Sequence, residues 1–383
     1  MKLALSVEAL APGLTGIGRY TWELAQRLPG HAGLKDVRFY RSGHWVSDLG
    51  KLLQGQAASG TPPGRRGPKL PRWAREWSMS LACRGKVFHG PNFFVPACAD
   101  KGVITVHDLS VFKFPETHPA ERVRQFERDF SRSVAQSVHV ITDSQTTRAE
   151  VMAFTGLDAS RVTAVPLGVS AAYAPRPDNE IAAQLRKYGL RPRGYALCVS
   201  TLEPRKKIEQ LLSAWEYLPA ALRLAYPLML VGSSGWLSEA VQAKIHRGTA
   251  QGWVRYLGYV SESDLPALYA GAAVFVYPST YEGFGLPPIE AMACGVPVVV
   301  SGQSCLPEVT QGAALIVEPD DVPAFATVLE QSLTDVAWRS HAVAAGLKVA
   351  ASYTWQRCVD ETVKVYQRAV SGGYPHNELK RAG

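Results

Sequence analysis

Long apolar runs are missing from this sequence of 383 residues, although hydrophobic residues make up 46% of it. No uninterrupted apolar stretch approaches the roughly 18 residues that a membrane-spanning helix needs. Near the amino end, Glu8 interrupts the apolar run 3–7 before it reaches the length of a signal-peptide core. We therefore expect a cytoplasmic protein with no spanning segment.

Cysteine is scarce, and the cysteines that are present are scattered. They form no CxxC pair and have no adjacent histidine, so the spacing of a zinc site is missing. Their distribution is typical of inert thiols in a reduced cytosolic protein. The six cysteines are Cys83, Cys98, Cys198, Cys294, Cys305 and Cys358.

Positive charge is unevenly distributed along the chain. Residues 1–170 carry 22 Lys and Arg against 14 Asp and Glu, whereas residues 171–383 carry 19 of each. A basic first half favours a partner with phosphate groups, such as an anionic lipid, a lipid diphosphate or nucleic acid. The alternative is that the excess arginine serves only solubility.

Short apolar segments alternate with helical patterns along the whole chain. Repeated βα units predict parallel sheets covered by helices on both faces. The segments fall into two series, so we predict an α/β fold with two doubly wound Rossmann-like domains. The predicted strands are 3–7, 86–89, 102–106 and 138–142 in the first series, and 196–199, 228–231, 254–256, 274–277 and 296–300 in the second. The predicted helices include 20–28, 208–216, 264–270 and 288–293.

The break between the two series lies in residues 165–177, where Pro, Gly and small residues interrupt the periodicity. This predicts domains of residues 1–170 and 171–354. Ligands bind at the carboxyl ends of the strands in such sheets, so we expect the two domains to face each other across a substrate cleft.

Two segments of the first domain have unusual composition. Residues 54–69 are rich in Gly, Ala, Pro and Arg and are predicted to form a mobile loop. Residues 69–81 mix Arg with Trp at four-residue spacing, which suits either an amphipathic helix on an anionic membrane or one packed on its own domain. Four arginines farther along add to the positive surface: Arg122, Arg124, Arg128 and Arg132.

The segment 281–299, YEGFGLPPIEAMACGVPVV, is the strongest motif. A Gly-punctuated loop leads from a strand into a helix, where free backbone N–H groups and the helix dipole favour a phosphate or a sugar hydroxyl. Glu282 and Glu290 have carboxylates that are suited to accept hydrogen bonds from sugar hydroxyls.

This segment resembles the Glu-x7-Glu motif of family 4 retaining glycosyltransferases, which have the GT-B fold. The resemblance spans most of the chain. Within that family, the sequence is most similar to bacterial mannosyl- and rhamnosyltransferases of surface-polysaccharide assembly. In GT-B proteins a final helix returns to the first domain, which implies that residues from about 355 to 383 belong there. The further matching stretches are residues 16–20 (GIGRY), 105–109 (TVHDL), 202–206 (LEPRK), 258–260 (GYV) and 265–269 (LPALY).

The resemblance implies catalytic roles for four residues. Arg205 and Lys206, between a strand and a helix, are expected to hold the leaving diphosphate. His107, at a strand end, is implied to contact the donor sugar near C6, and a buried structural histidine is the alternative. Glu282 is expected to bind the hexose. Asp143 is predicted to be a helix cap rather than a base.

The remaining predicted site residues bind substrate. Gly16 and Gly18 bring the first βα turn close to a pyrophosphate or the reacting sugar. Glu290 is expected to hold the ribose, and the backbone of residues 283–286 the hexose. The predicted substrate-binding residues are Gly16, Gly18, Gly283, Phe284, Gly285, Leu286, Glu290, Tyr259 and Val260.

No cofactor and no metal is expected. GT-A transferases hold a cation through Asp-x-Asp, and this sequence has no such triplet. The pair Asp320-Asp321 is predicted to form a turn and a helix cap instead. Positive side chains and helix dipoles must then replace the metal.

Together these features imply a retaining hexosyltransferase. Its first domain, residues 1–170 with about 355–383, is expected to bind the acceptor, and its second domain, residues 171–354, is expected to bind the nucleotide sugar. Its expected donor is GDP-linked mannose or a 6-deoxyhexose such as rhamnose, and its expected acceptor is a polyprenyl-diphosphate-linked saccharide in O-antigen or related assembly. The expected location is the cytosolic face of the inner membrane, with no nucleic-acid partner. Two alternatives are a sugar-nucleotide 2-epimerase of the same architecture and a non-catalytic nucleic-acid or membrane-binding module.

Overall fold

The computed structural model describes residues 1–55, 83–97, 99–117, 120–235 and 239–372. Residue contacts divide the chain into two units. The first unit consists of residues 1–167 together with the C-terminal segment from Trp355, and the second of residues 168–354. The predicted membrane-facing segment 69–81 and residues 56–69 of the predicted loop lie outside the described residues.

The first unit is built on a seven-stranded sheet, counted over its described residues, with the order β3-β2-β1-β4-β5-β6-β7. All neighbours are parallel except β2 and β3. The strands are β1 Lys2–Ser6, β2 Asp36–Arg41, β3 His44–Val46, β4 Val87–Gly90, β5 Lys101–Val106, β6 Ser137–Thr142 and β7 Val162–Ala164. The helices are Gly16–Arg27, Gly50–Leu53, Ser110–Lys113, Ala120–Gln136, Gln145–Thr155 and Trp355–Ser371.

The second unit is built on a six-stranded parallel sheet, again over its described residues, with the order β10-β9-β8-β11-β12-β13. The strands are β8 Ala196–Val199, β9 Leu228–Val231, β10 Val254–Gly258, β11 Val274–Tyr277, β12 Val298–Ser301 and β13 Leu315–Val317. The helices are Asp178–Lys187, Ile208–Tyr217, Ala220–Ala225, Glu239–Ala250, Leu265–Ala270, Leu286–Ala293, Leu306–Thr310, Val322–Thr334 and Val336–Ala351.

Each sheet changes direction once, and this defines its binding crevice. The first sheet grows outward from β1 to β2 and then restarts on the other side with β4; the second grows from β8 to β10 and restarts with β11. Loops after two adjacent strands diverge at such a switch point and leave room for a ligand. The crevices are therefore expected after β1 and β4 in the first unit, and after β8 and β11 in the second.

Burial on both faces explains the strand sequences. All four residues of β9 and all four of β11 are buried, as a parallel sheet covered by helices on both faces requires. Trp215 and Trp253 fill the core of the second unit on one side of its sheet. The prediction of two doubly wound α/β units is confirmed. No helix among the described residues is long and apolar enough to cross a membrane.

Some element bounds differ from the sequence-based prediction. The first helix begins at Gly16, not at residue 20, because the Thr15 side chain caps it by accepting from Gly18 N–H. The strand predicted at 296–300 begins only at Val298. Strands β2, β3, β7 and β13 were not predicted; β3, β7 and β13 are edge strands and β2 lies next to an edge, where the apolar signal is weak.

Candidate active site

The switch point of the second unit brings together three of the predicted residues. Arg205 and Lys206 lie in a short 3-10 turn, Pro204–Lys206, in the loop after β8. Glu282 lies in the loop after β11. The two loops are joined by their backbones, because Thr280 N–H donates to Arg205 O at 2.9 Å.

Lys206 is the centre of a buried polar cluster. Its Nζ donates to the Tyr277 hydroxyl at 2.9 Å and forms an ion pair with Glu282. Tyr277, the last residue of β11, donates in turn to Glu282 Oε1 at 2.9 Å. Arg205 Nη1 lies 3.4 Å from the same carboxylate oxygen and donates to Tyr281 O at 2.7 Å. Lys206 and Arg205 therefore share the Glu282 carboxylate, and Arg205 also pairs with Glu203, whose Oε2 lies 3.1 Å from Arg205 Nε.

The charges of this cluster keep Glu282 ionised. Burial raises the pKa of Glu282, but the adjacent charges of Lys206 and Arg205 outweigh it, and the pKa is lowered from its ordinary value. Burial and the Glu282 carboxylate raise the pKa of the Tyr277 hydroxyl well above its ordinary value. Tyr277 thus remains a hydrogen-bond donor and does not act as an anion.

The loop that follows Glu282 is held tightly. Glu282 N–H donates to Ser304 Oγ at 3.1 Å, and Ser304 Oγ donates back to Glu282 O at 2.6 Å. Gly285 has φ +91° and a Cβ there would lie 2.7 Å from Leu306 Cδ2, so this position requires glycine. The Phe284 ring packs edge-on against Tyr353, with centroids 5.3 Å apart. The loop Gly283–Leu286 thereby presents the start of helix Leu286–Ala293 in a fixed geometry.

The other predicted residues of the second unit lie farther along the same elements. Glu290 is half-buried on the helix Leu286–Ala293, and its carboxylate, together with burial, raises the pKa of Tyr269. Tyr259 and Val260 follow β10, which is separated from β8 by β9, a distance of about 10 Å. Tyr259 is 73% exposed, whereas Val260 is buried.

His107 and Asp143 form a pair in the first unit. They follow the adjacent parallel strands β5 and β6, and His107 Nδ1 lies 2.6 Å from Asp143 Oδ2. His107 Nε2 lies 2.8 Å from Pro91 O, a carbonyl that can only accept, so Nε2 carries a proton. The prediction that Asp143 is a helix cap is wrong, because Ser144 caps the helix Gln145–Thr155 by accepting from Thr147 N–H.

The interaction with Asp143 favours the protonated form of His107. Burial lowers the pKa of His107, but the charge and hydrogen bond of Asp143 outweigh it, so the pKa of His107 is raised. Burial raises the pKa of Asp143 against the opposing influence of His107. Both ring nitrogens of His107 are occupied by protein acceptors, and 14% of the side chain is exposed.

The glycines of the first βα turn differ from each other. A Cβ at Gly18 would lie 3.1 Å from Ala9 O and 3.2 Å from Leu14 Cδ2, so the packing of the helix start favours glycine. A Cβ at Gly16 would meet nothing within 4 Å. Gly16 therefore has open space beside it, and the fold alone does not require glycine there.

A buried network behind His107 was not found from the sequence. Tyr20 packs edge-on against the His107 ring at 5.0 Å and hydrogen-bonds Thr105 at 3.0 Å. Thr105 also meets His89 Nε2 at 2.8 Å, and His89 Nδ1 meets the Tyr366 hydroxyl at 2.6 Å. Burial, aided by His107, lowers the pKa of His89 to about 3, so His89 is neutral. The position of a histidine at a strand end was the only signal for this network in the sequence. That signal does not indicate which residues the histidine contacts.

Metal-binding geometry is not present among the described residues. No group of three His, Cys, Asp or Glu side chains there is placed to hold a metal ion. Asp321 caps the helix Val322–Thr334 by accepting from Ala324 N–H at 3.1 Å, as predicted. Asp320 forms an ion pair with Lys207.

Comparisons with known proteins identify the family of this chain. Residues 193–335 match the family described as Glycosyl transferases group 1. The chain is similar to O-antigen chain mannosyltransferase B of Escherichia coli, with 39% identity over 381 residues that cover 96% of this chain and 100% of that protein. It is also 29% identical over 289 residues to the serotype-specific mannosyltransferase WbdA of Escherichia coli, which covers 73% of this chain and 35% of that protein.

A solved structure supports the fold. Anabaena Alr3699/HepE in complex with UDP matches 96% of this chain and 100% of its own, with a TM-score of 0.73 and 18% identity. The two doubly wound units form the GT-B fold. This chain belongs to the group 1 glycosyltransferases. The predicted family and GT-B fold are confirmed, whereas the roles of individual residues and of the two domains stay predictions.

Proposed function

We propose that this enzyme transfers mannose from GDP-mannose to a polyprenyl-diphosphate-linked saccharide of a surface polysaccharide, with retention of anomeric configuration. The proposal is carried by one observation: Arg205, Lys206 and Glu282 meet at the switch point of a chain similar along its whole length to an O-antigen chain mannosyltransferase. That similarity favours mannose over the 6-deoxyhexose that the sequence motifs left open.

The cations of the second unit suit the diphosphate of the donor. Lys206 and Arg205 both pair with Glu282, and this holds the buried Lys206 and the half-buried Arg205 in place. A diphosphate that enters the crevice offers them stronger acceptors than a shared carboxylate. As the bond to the sugar breaks, negative charge grows on the leaving phosphate, and preorganised cations stabilise that charge most in the transition state.

The carboxylates and the loop suit the sugar and the ribose. Lys206 and Arg205 hold the pKa of Glu282 below its ordinary value, so its carboxylate is ionised and is suited to accept hydrogen bonds from hexose hydroxyls. The backbone N–H groups of residues 283–286 lie at a helix start and add donors to the same sugar. Glu290 is assigned the ribose, and the exposed Tyr259 ring offers a flat face to the nucleobase.

The chemical step proceeds on one face of the sugar. The bond from C1 to the phosphate oxygen breaks, and the acceptor hydroxyl oxygen forms a bond to C1 on the same side. The proton of that hydroxyl passes to the departing phosphate oxygen, so no protein nucleophile is needed. A glycosyl-enzyme detected by mass spectrometry in a single turnover would contradict this mechanism.

The donor is tested by thermal unfolding of the purified protein with GDP-, UDP-, ADP- and dTDP-linked hexoses. A ligand that binds the folded state raises the melting temperature. We expect GDP-mannose to give the largest rise and Lys206→Gln to abolish it. A larger rise with a uridine or adenosine donor would contradict the assignment of the base.

We also propose that the first unit contacts an anionic membrane surface. The support is its excess of Lys and Arg and the exposed Arg124 and Arg128 on helix Ala120–Gln136. The protein should co-sediment with vesicles that contain anionic lipid, and high salt should release it. Co-sedimentation with neutral vesicles to the same extent would contradict this location.

A further inference from the structure

The first unit has a cavity of about 530 Å³ at its own switch point. It is lined by residues that follow β1, namely Glu8 and Ala9, and by the loop 90–94 that follows β4. Its volume is in the range of about 300–1,000 Å³ that small-molecule sites occupy. We call it the switch-point cavity.

A second cavity of about 470 Å³ adjoins it. The two share Asn92, Phe93 and Asp129, and the second is also lined by His107. We call it the His107 cavity. The shared residues make the two cavities one binding region, which continues from the switch point to the histidine that is the predicted catalytic residue of this unit.

The charge of this region is opposite to that of the unit as a whole. None of the described residues that line either cavity is Lys or Arg, whereas three are carboxylates: Glu8, Asp108 and Asp129. Arg132 lies beside this region and pairs with one of these carboxylates, since its Nη2 lies 3.4 Å from Asp129 Oδ1. Carboxylates oppose the binding of a diphosphate but accept hydrogen bonds from neutral hydroxyls.

An aromatic ring stands between the two cavities. Phe93 has φ +47°, an uncommon conformation for a non-glycine residue, and its N–H donates to Thr105 O at 2.8 Å. The loop folds so closely on β4 that a Cβ at Gly90 would lie 1.9 Å from Phe94 O. The Phe93 ring packs against Phe126 with centroids 4.4 Å apart. These contacts fix the Phe93 ring in the wall that the two cavities share, where it is only half-buried. The face of an aromatic ring carries negative potential, so the C–H groups of a sugar ring can stack on it.

We propose that the switch-point cavity and the His107 cavity bind the uncharged saccharide end of the acceptor, with Phe93 as the stacking platform and Asp129 as the acceptor of sugar hydroxyl protons. This inference rests on the proposed function, because it names the part of the acceptor that the first unit recognises. The lipid diphosphate of the acceptor then lies outside both cavities, on the basic surface of the unit. The enzyme recognises the growing sugar end and accepts acceptors that have no diphosphate.

The test measures binding of mannotriose, a neutral saccharide, to the full-length protein by titration calorimetry or saturation-transfer NMR. We compare Phe93→Leu, which removes the flat ring, and Asp129→Asn, which removes the charge, with the control Phe154→Leu. Phe154 belongs to the same aromatic cluster, 4.5 Å from Phe112, but lines neither cavity and is 52% exposed.

We expect Phe93→Leu to weaken mannotriose binding roughly tenfold and Asp129→Asn roughly three- to tenfold, with Phe154→Leu unchanged. GDP-mannose binding, measured on the same samples, should be equal in all four proteins and shows that each is folded. Absence of mannotriose binding in the wild type, or equal binding in Phe93→Leu and Asp129→Asn, would overturn the inference.

The same samples separate this inference from the proposed function. If the protein transfers mannose to a lipid-linked acceptor but does not bind mannotriose, the saccharide site is wrong and the proposed function stands. If it binds mannotriose as described but no GDP-mannose, the saccharide site stands and the proposed donor is wrong.

Discussion

The two units place their crevices at the same topological position but fill them with opposite chemistry. After β8 and β11 the second unit presents Lys206 and Arg205 around Glu282. After β1 and β4 the first unit presents Glu8 and, across the cavity, Asp129, with no Lys or Arg among the described lining residues.

This difference suits the two substrates of one transfer reaction, a donor with a diphosphate and an acceptor with a neutral saccharide end. A switch point supplies a crevice and backbone donors, but the side chains that follow the strands decide what binds there. The cationic crevice suits a diphosphate, whereas the anionic and aromatic one suits a neutral polyol. The basic charge of the first unit, 22 Lys and Arg against 14 Asp and Glu in residues 1–170, therefore does not describe its cavity.

The largest expected effect comes from removal of the cation in the second crevice. Lys206→Gln should lower kcat/KM by about 100- to 1,000-fold, because a preorganised charge that stabilises the leaving phosphate is lost. The matched control is Lys207→Gln, since Lys207 is the next residue but pairs with the exposed Asp320. Steady-state kinetics on both variants measure the difference, and equal losses in the two would contradict the role of Lys206.

A smaller effect is expected in the first unit, at the His107 pair. Asp143→Asn should lower the free energy of unfolding by about 1.5–3 kcal/mol, because it removes a charged hydrogen bond from a buried imidazolium. The folded pKa of His107 is raised above its ordinary value of 6.5. The stabilisation is therefore present below pH 6.5 as long as Asp143 is ionised, and it is lost as the pH rises through the raised pKa of His107.

Chemical denaturation of the wild type and Asp143→Asn over a pH series measures this stabilisation. The control is Asp108→Asn, since Asp108 contributes least among the groups that shift His107. If the stability difference between the wild type and Asp143→Asn grows as the pH rises above 6.5, the interaction with Asp143 does not stabilise a protonated His107.

The smallest expected effect distinguishes the two glycines of the first βα turn. Gly18→Ala should lower the free energy of unfolding by about 1 kcal/mol, because Ala9 O and the Leu14 side chain must move. Gly16→Ala should change it by less than about 0.5 kcal/mol, since its Cβ meets nothing. If Gly16 approaches substrate, Gly16→Ala loses activity at unchanged stability; full activity in this variant would remove Gly16 from the site.

The sequence predicts best the elements whose signal is local. The predicted bounds of β8, β9 and β11 agree with the structure because each is a short apolar run; β9 and β11 are buried throughout, and β8 is buried except for the half-buried Val199. Strand β2, with the sequence DVRFYR, has three charged residues and no such signal. Strand β2 forms by pairing with β1, and the hydrophobic periodicity of the sequence does not indicate such a tertiary contact.

The candidate site shows the same limit. The positions of Lys206 and Glu282 at strand ends are local properties and were predicted. Their meeting depends on β8 and β11 being neighbours, which the chain order alone does not indicate. His107 and Asp143 likewise pair because β5 and β6 are adjacent. The sequence shows only that Asp143 precedes a helix, so it was predicted to cap that helix, and its contact with His107 was missed.

The most direct test of the account is the product of one reaction: purified enzyme with GDP-mannose and neutral mannotriose, followed by NMR. We predict GDP and a mannotetraose whose new linkage has the α configuration of the donor. A new β linkage, or mannose transfer only to acceptors that carry a diphosphate, would contradict it.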